Sequence, residues 1–271
     1  MASQTKVREM IAKNNAKKGG LSDKIVPIIL AIISAISILT TIAILFTLLT
    51  ETITFFTRVP LSKFFLSGTW NPTGSSPEFG IWALIIGTLK ITVIATIVAV
   101  PIGLGAAIYL NEYASDRSRR IIKPILEILA GIPTIVFGFF ALTFVTPILR
   151  NLIPNLGEFN SISPGIVVGI MIVPMITSMS EDAMSSVPDK IREGAFGLGA
   201  TKFEVATKVV LPAATSGVVA SIVLGISRAI GETLIVSLAA GSSPTSSLSL
   251  TSSIQTMTGY IVEIATGDAA F

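Results

Sequence analysis

Two charged side chains, Arg228 and Glu232, stand four residues apart inside a long apolar run. On a helix this spacing puts both side chains on one face, one turn apart. A charge within a bilayer is costly and points to function, and the planar guanidinium of Arg228 presents a fork of donors that suits an oxyanion. Two interpretations stay open. The residues form an ion pair that neutralises itself for insertion, or Glu232 positions Arg228 on an anion path and weakens its grip so that the anion is released.

A second intramembrane cation, Lys90, lies in the run 81–110. At 1.5 Å per residue, Lys90 is roughly 14 Å into its run and Arg228 roughly 22 Å into its own. In a hydrocarbon core about 30 Å thick, both positions fall in the middle or outer half. The sequence therefore predicts a substrate pathway formed by Arg228, Glu232 and Lys90. Glu127 begins a further run, where we expect it to reach the membrane interface.

The composition excludes several kinds of site. The chain has no cysteine and no histidine, so it lacks thiolate metal ligands and the most common general base. We predict no catalytic residue, no metal site and no cofactor bound by this chain. The stretch GLGA occurs at 103–106 and 197–200, but neither copy is followed by the Lys-Ser/Thr of a Walker A motif, so ATP binding of that kind is not expected.

Long apolar runs supply the elements that position these charges. Hydrophobic residues make up 51% of the chain and charged residues only 13%, which favours a membrane protein. A bilayer core of about 30 Å needs about 20 apolar residues of helix. Prolines and glycines inside the runs favour a packed, kinked bundle. Five runs qualify as spans: 25–49, 81–110, 125–149, 162–179 and 213–240.

Lys and Arg residues in the loops predict the orientation of these spans. They are concentrated in a basic N-terminal arm, 1–24, in the loop after the second run, and in the segment 182–211. The other side has only Arg58, Lys63 and Arg150. We therefore expect the arm and the segment 182–211 in the cytoplasm. Within the transmembrane region 25–271, residues 241–271 are expected to form an external segment that leads toward a sixth span missing from the chain.

The stretch EGAFGLGATKFEVATKVVLP, residues 193–212, is polar and small between two apolar runs. TKFE is a capping box, in which Thr201 and Glu204 satisfy each other's backbone N–H groups at the start of a helix. Gly197 and Gly199 separate this helix from an earlier one around 189–196, and Pro212 suits the first turn of the next helix. The pattern indicates two short helices at an angle. They lie on lipid headgroups or dock another protein.

The spacing in this stretch resembles the EAA loop of ABC importer permeases, E-A-A-x3-G-x9-I-x-L-P. Gly194 and Val209 replace an alanine and an isoleucine of that pattern. In that family the loop forms coupling helices that dock into a groove on the ATP-hydrolysing subunit. The resemblance implies that ATPase coupling depends on a set of matching residues: Glu193, Ala195, Gly199, Leu211 and Pro212.

Further stretches are similar to the permeases of phosphate-specific (Pst) importers. They are FLSGTWNP, EFGIWALIIGTLKIT, AIYLNEYA, LEILAGIPTIVFGFFAL and SRAIGETLIV, and the external TWNP…FGI segment is nearer the PstC type than the PstA type. The resemblance implies an all-α, polytopic helical bundle in the cell membrane, of the type I importer permease kind, that moves inorganic phosphate by alternating access. It further implies a second homologous permease subunit, two ATPase subunits that hold ATP and Mg, and an external phosphate-binding protein.

Three alternatives remain at this point. The chain is a permease for another substrate, such as sulfate, molybdate or an amino acid, because the intramembrane cations favour an oxyanion without choosing one. It is the PstA-like partner subunit, or it is a channel or secondary transporter that works without ATP. In none of these is the chain itself an enzyme.

Overall fold

The structure is a computed structural model that describes residues 21–267, in two compact units, Met1–Leu61 and Ser62–Phe271. The predicted basic arm lies outside the described residues over 1–20. The first unit contains one helix, α1, Leu21–Arg58, which includes the predicted span 25–49. Its threonine hydroxyls donate to carbonyls three or four residues earlier, as in Thr40 to Ile36. This satisfies the hydroxyls without water, which a helix in lipid requires.

The second unit is helical apart from one small hairpin. Strands β1, Trp70–Asn71, and β2, Glu78–Phe79, are antiparallel, with Trp70 opposite Phe79. The helices are α2, Leu61–Leu66; α3, Trp82–Tyr113; α4, Asp116–Gly131; α5, Thr134–Leu152; α6, Ile162–Ser185; α7, Asp189–Gly197; α8, Lys202–Ala213; α9, Thr215–Ile230; α10, Leu234–Ala239; and α11, Met257–Thr266. Three of them contain a π-helical stretch: Tyr109–Tyr113 in α3, Ala141–Val145 in α5 and Val205–Val210 in α8.

Close packing of α3 against α6 forms the centre of the second unit. Small residues on both helices let the backbones approach, as at membrane helix interfaces generally. A Cβ on Gly169 of α6 would come within 2.9 Å of the Ala95 carbonyl oxygen in α3. Ile91 and Ile176 are fully buried at this interface, together with side chains of α5, α9 and α10. This core fixes the relative positions of the helices that carry the charged residues.

A second apolar cluster joins the end of α3 and the end of α6 to α8 and the start of α9. Its buried members include Ala107, Met184, Val205 and Val210. A sharp bend of 76° separates α8 from α9. The cluster therefore seats the segment 189–213, here called the docking segment, on one end of the packed helices.

The third predicted span, 125–149, has the wrong boundaries. It crosses the break between α4 and α5, where Ile132 is extended with ψ 130° and Pro133 follows. A residue before proline is pushed out of the helical region, so the helix ends there. α4 is amphipathic, with basic residues on one side and exposed isoleucines on the other. The apolar span-like helix is α5, with its 19 residues.

The fifth predicted span, 213–240, is also interrupted. α9 ends at Ile230 and α10 begins at Leu234. Four helices among the described residues, α1, α3, α5 and α6, are long and apolar enough to cross a bilayer, and a fifth span results if the bent pair α8 and α9 counts as one. Five crossings, and the orientation of the chain, stay predictions.

Candidate functional site

The docking segment begins with α7, whose residues are all at least partly exposed. Arg192 is the residue that attaches this helix to the core. Its guanidinium donates to the carbonyls of Met184 and Val187 and to the side-chain oxygen of Asn111. It also lies 3.3 Å from a carboxylate oxygen of Glu112 and 2.9 Å from Asp189. No local pattern distinguishes Arg192 from the other basic residues of the loop.

A left-handed residue separates the two helices of the docking segment. Gly199 has φ +84°, and an added Cβ would meet no atom within 4 Å. The conformation needs glycine because a Cβ is unfavourable at positive φ, and the open space leaves room for an approaching surface. A groove of about 340 Å³ runs past Gly199, between Leu198 and Lys208.

The predicted capping box is confirmed at the start of α8. The Thr201 hydroxyl accepts from the Glu204 N–H at 3.3 Å, and the Glu204 carboxylate accepts from the Thr201 N–H at 3.1 Å. The backbone hydrogen bond from Thr201, followed by the hydrogen bond from Lys208, lowers the pKa of Glu204 to about 2. The carboxylate is therefore charged at neutral pH and holds the start of the helix.

The residues matched to the coupling pattern occupy two kinds of position. Glu193 is exposed on α7, and Pro212 is exposed in the first turn after the π-helical stretch. Ala195 and Leu211 pack against the second apolar cluster, and the Ala195 carbonyl accepts from Leu198 and Ala200 around the turn. Beside them, Leu198 is 91% exposed and Phe203 67% exposed. The docking segment therefore has one face packed against the second apolar cluster, through Ala195 and Leu211, and an opposite exposed apolar surface at Leu198 and Phe203.

A cavity of about 250 Å³ lies among α4, α6 and α9, and Arg228 lines it. Lys123, Glu127 and Glu181 line the same cavity, together with apolar groups such as Met171. Lys123 Nζ lies 2.7 Å from Glu181 Oε2, a carboxylate whose side chain is only 4% exposed. Arg228 is exposed and has no ion pair or side-chain hydrogen bond within residues 21–267. We call this space the inner cavity.

Arg228 and Glu232 do not form the ion pair that their spacing suggested. The helix ends at Ile230, so the two residues no longer lie one turn apart on a continuous helix. The Glu232 carboxylate instead accepts from the N–H of Ile235, the third residue beyond it, at 3.3 Å, and its carbonyl accepts from Thr258. Glu232 caps α10, whose first N–H groups have no partner within the helix.

Lys90 is buried and its ammonium group is engaged. Nζ donates to the carbonyl oxygens of Ser247 and Ser249, the second at 2.9 Å. Both carbonyls belong to the residues 241–256, here called the serine-threonine segment. Lys90 lies near the start of α3, whereas Glu112, which contacts Arg192, lies at the other end of that helix. The predicted pathway set is therefore dispersed: Arg228 lines the inner cavity, and Lys90 and Glu232 hold the backbone elsewhere.

The sequence missed two members of the inner cavity, Lys123 and Glu181. Glu181 lies two residues beyond the predicted run 162–179, so it was not selected as an intramembrane charge, although α6 continues past it to Ser185. A carboxylate near the end of a membrane helix is costly unless it is paired. Lys123 was interpreted only as one of the basic loop residues. Their pairing depends on how α4 packs beside α6, which no local pattern specifies.

The packed apolar helices, four of them long enough to cross a bilayer among the described residues, are those of a multi-pass membrane protein. A family model described as "binding-protein-dependent transport system inner membrane component" matches residues 99–270, which is more than half of the chain. The chain belongs to this family, whose members are multi-pass membrane proteins.

Individual relatives show a more specific resemblance than the family model does. The chain is 39% identical over 180 residues to the probable ABC transporter permease protein YqgH of Bacillus subtilis, covering 66% of this chain and 58% of that protein. It is 36% identical over 200 residues to the phosphate transport system permease protein PstC of Haemophilus influenzae, covering 67% and 63%. The resemblance to PstC-type permeases is thus confirmed, and the chain spans less than two thirds of the length of both relatives.

Among solved structures, the chain is similar to one of the inward-facing MetNI methionine ABC transporter. The identity is 22%, the TM-score is 0.46, and the match covers 56% of this chain and 71% of that one.

Proposed function

We propose that this chain is the membrane-spanning permease subunit of an ATP-driven importer that moves inorganic phosphate into the cytoplasm by alternating access. The observation that carries the proposal is the docking segment, in which Arg192 anchors α7 and the exposed Leu198 and Phe203 flank a left-handed glycine. Similarity to PstC supports phosphate as the substrate. ATP and Mg belong to a partner, and this chain provides the path.

The partners follow from the same proposal. Two ATPase subunits, a second homologous permease subunit and an external phosphate-binding protein complete the importer. The exposed surface of the docking segment binds in a groove of the ATPase. Glu193, Gly199 and Pro212 lie on that surface of the docking segment. The basic residues of the loops favour a cytoplasmic position for the N-terminus and for the docking segment.

Arg228 is the residue of the predicted pathway that we retain as a phosphate contact. Its guanidinium has a cavity in front of it and no competing carboxylate within ion-pair distance in residues 21–267. A phosphate held there exchanges its hydration for a planar fork of donors. Lys90 and Glu232 act on the path indirectly, by holding the serine-threonine segment and the start of α10.

Co-purification of the ATPase tests the docking proposal. We expect Phe203→Ser and Leu198→Ser to lower the amount of ATPase bound to the affinity-purified permease, because each removes an exposed apolar contact without backbone strain. Leu248→Ser is the matched control, since Leu248 is 80% exposed in the serine-threonine segment. ATPase recovery that is equal in all three variants and the parent would overturn the docking role.

ATP-dependent phosphate uptake by the reconstituted importer tests the substrate proposal. We expect uptake with nucleotide and none without it, and we expect Arg228→Gln to abolish uptake while assembly survives. Uptake that persists without nucleotide would contradict the ATP-driven mechanism. Full uptake by Arg228→Gln would remove Arg228 from the path.

A further inference from the structure

The inner cavity is lined by two carboxylates as well as two cations, whereas a site that only attracts anions needs no carboxylate. Arg228 and Lys123 contribute positive charge, whereas Glu181 and Glu127 contribute negative charge. Glu181 is 3% exposed and is neutralised by Lys123 at 2.7 Å. Glu127 is exposed on α4 and has no ion pair or hydrogen bond within the described part of the chain. One cation, Arg228, and one carboxylate, Glu127, thus line the inner cavity without an ion-pair partner among the described residues.

Oxyanions respond differently to a carboxylate. Inorganic phosphate carries at least one proton at neutral pH, so it can donate a hydrogen bond as well as accept them. Sulfate carries no proton and can only accept. An ionised carboxylate is acceptor-only, and hydrogen bonds from O–H to a carboxylate are among the strong ones. A carboxylate beside an anion site therefore attracts the P–O–H group of phosphate and repels sulfate.

The size and lining of the cavity suit this arrangement. At about 30 Å³ per water molecule in the liquid, a cavity of about 250 Å³ takes a five-atom oxyanion with part of its hydration shell. Pro174 and Met171 supply apolar wall, which strengthens the interactions of the charged groups. Arg228 on α9 and Glu127 on α4 line the same cavity from separate helices.

We propose that Glu127 is a specificity-determining residue: its carboxylate accepts a hydrogen bond from the P–O–H group of a phosphate held by Arg228, and it thereby excludes sulfate from the inner cavity. The inference rests on the proposed function, because it assumes that an oxyanion reaches Arg228. Glu181 does not take this role, since Lys123 already satisfies it and holds it within the wall. Lys123 keeps Glu181 neutralised so that only one carboxylate faces the anion.

Anion protection of a single thiol tests the proposal. The chain has no cysteine, and Ser178 is an exposed residue that lines the inner cavity. The importer carrying Ser178→Cys is placed in lipid nanodiscs without the external binding protein, and the rate of thiol modification at position 178 is followed by mass spectrometry. We expect phosphate to slow modification at a concentration at least about tenfold lower than sulfate, the scale of one charge-assisted hydrogen bond.

Substitutions at position 127 test whether Glu127 causes the preference for phosphate over sulfate. In the Ser178→Cys background, Glu127→Gln should bring the protective concentrations of phosphate and sulfate to within about twofold, because an amide can donate to either anion. Glu127→Asp should keep phosphate favoured. Glu158→Gln is the control, since Glu158 is an exposed carboxylate that does not line the cavity. An unchanged phosphate preference in Glu127→Gln would overturn the inference.

Other outcomes separate this inference from the proposed function. Equal protection by phosphate and sulfate in the parent would overturn the role of Glu127 and leave phosphate transport standing if ATP-dependent uptake is intact. Protection by neither anion would overturn an oxyanion site in the inner cavity, and with it the role of Glu127. Loss of protection by both anions in Arg228→Gln, with Glu127 unchanged, is expected if Arg228 holds the anion.

Discussion

At the residue scale, Arg192 connects the docking segment to two other elements, since its guanidinium contacts both the end of α6 and the π-helical end of α3. Glu112 is 7% exposed at the side chain and Arg192 14% exposed. Removing one member of such a pair leaves the other charge buried without compensation, which is more costly than the pair itself is stabilising.

We expect Arg192→Met to lower the free energy of unfolding by about 3 kcal/mol, on the scale known for a broken buried ion pair. Denaturant unfolding of the detergent-solubilised protein measures the change. Lys190→Met is the matched control, because Lys190 is exposed on the same helix, and it should change stability little. A double-mutant cycle with Glu112→Gln should be strongly non-additive. Additive effects would contradict a direct Arg192–Glu112 interaction.

Lys90 gives a second test at this scale, because its ammonium group holds two carbonyls of the serine-threonine segment. We expect Lys90→Met to increase the rate of limited proteolysis within residues 241–256 by several-fold while the protein still inserts. Lys63→Met, which changes an exposed lysine, should leave this rate unchanged. Loss of phosphate transport without added protease sensitivity would indicate that Lys90 contacts the anion directly.

At the element scale, the start of α8 depends on the capping box, and its pH dependence follows from Glu204. The pKa of Glu204 is lowered from 4.5 to about 2, so its contribution is fully present above pH 4.5 and is lost as the pH falls toward 2. We expect Thr201→Ala to cost about 1 kcal/mol of helix stability, measured by amide hydrogen exchange of residues 201–205. The difference should be the same at pH 4 and pH 8, because a carboxylate with a pKa of about 2 is ionised at both. A difference that shrinks markedly at pH 4 would contradict the lowered pKa.

Element boundaries illustrate what the sequence could and could not predict. The capping box and the glycine hinge were predictable because their signals are local. The capping box is contained in the four residues TKFE, and the hinge depends on one glycine, Gly199. The break between α4 and α5 was missed because hydropathy averages over Pro133. The ion pair of Arg228 and Glu232, one of the two interpretations left open, does not form, because four-residue spacing has meaning only on a continuous helix and α9 ends at Ile230. The inner cavity was only partly predictable, since Arg228 stood out in an apolar run, whereas the Lys123–Glu181 contact depends on helix packing.

At the scale of the whole molecule, the distribution of Lys and Arg predicts which ends of the helices share one side of the membrane. The docking segment and the loop that leads into α4 are basic, and both lie beside the end of α3, where Arg192 meets Glu112 and Asn111. The β1–β2 hairpin precedes α3 and lies near its other end. The helix α3 therefore separates two regions whose accessibility can be compared directly.

Thiol labelling in spheroplasts tests this arrangement, and the absence of native cysteine makes each label specific. We expect an impermeant reagent to modify Ser75→Cys in the hairpin and Ser243→Cys in the serine-threonine segment, because both exposed positions fall on the external side in a five-span topology. Leu198→Cys in the docking segment should react only after the membrane is opened, since basic segments stay in the cytoplasm. The comparison of positions 198 and 243 is the decisive one, because α8, α9 and α10 are the helices between them. Equal labelling of both in intact spheroplasts would mean that these helices do not cross the bilayer, and the bent pair α8 and α9 would then be a re-entrant element.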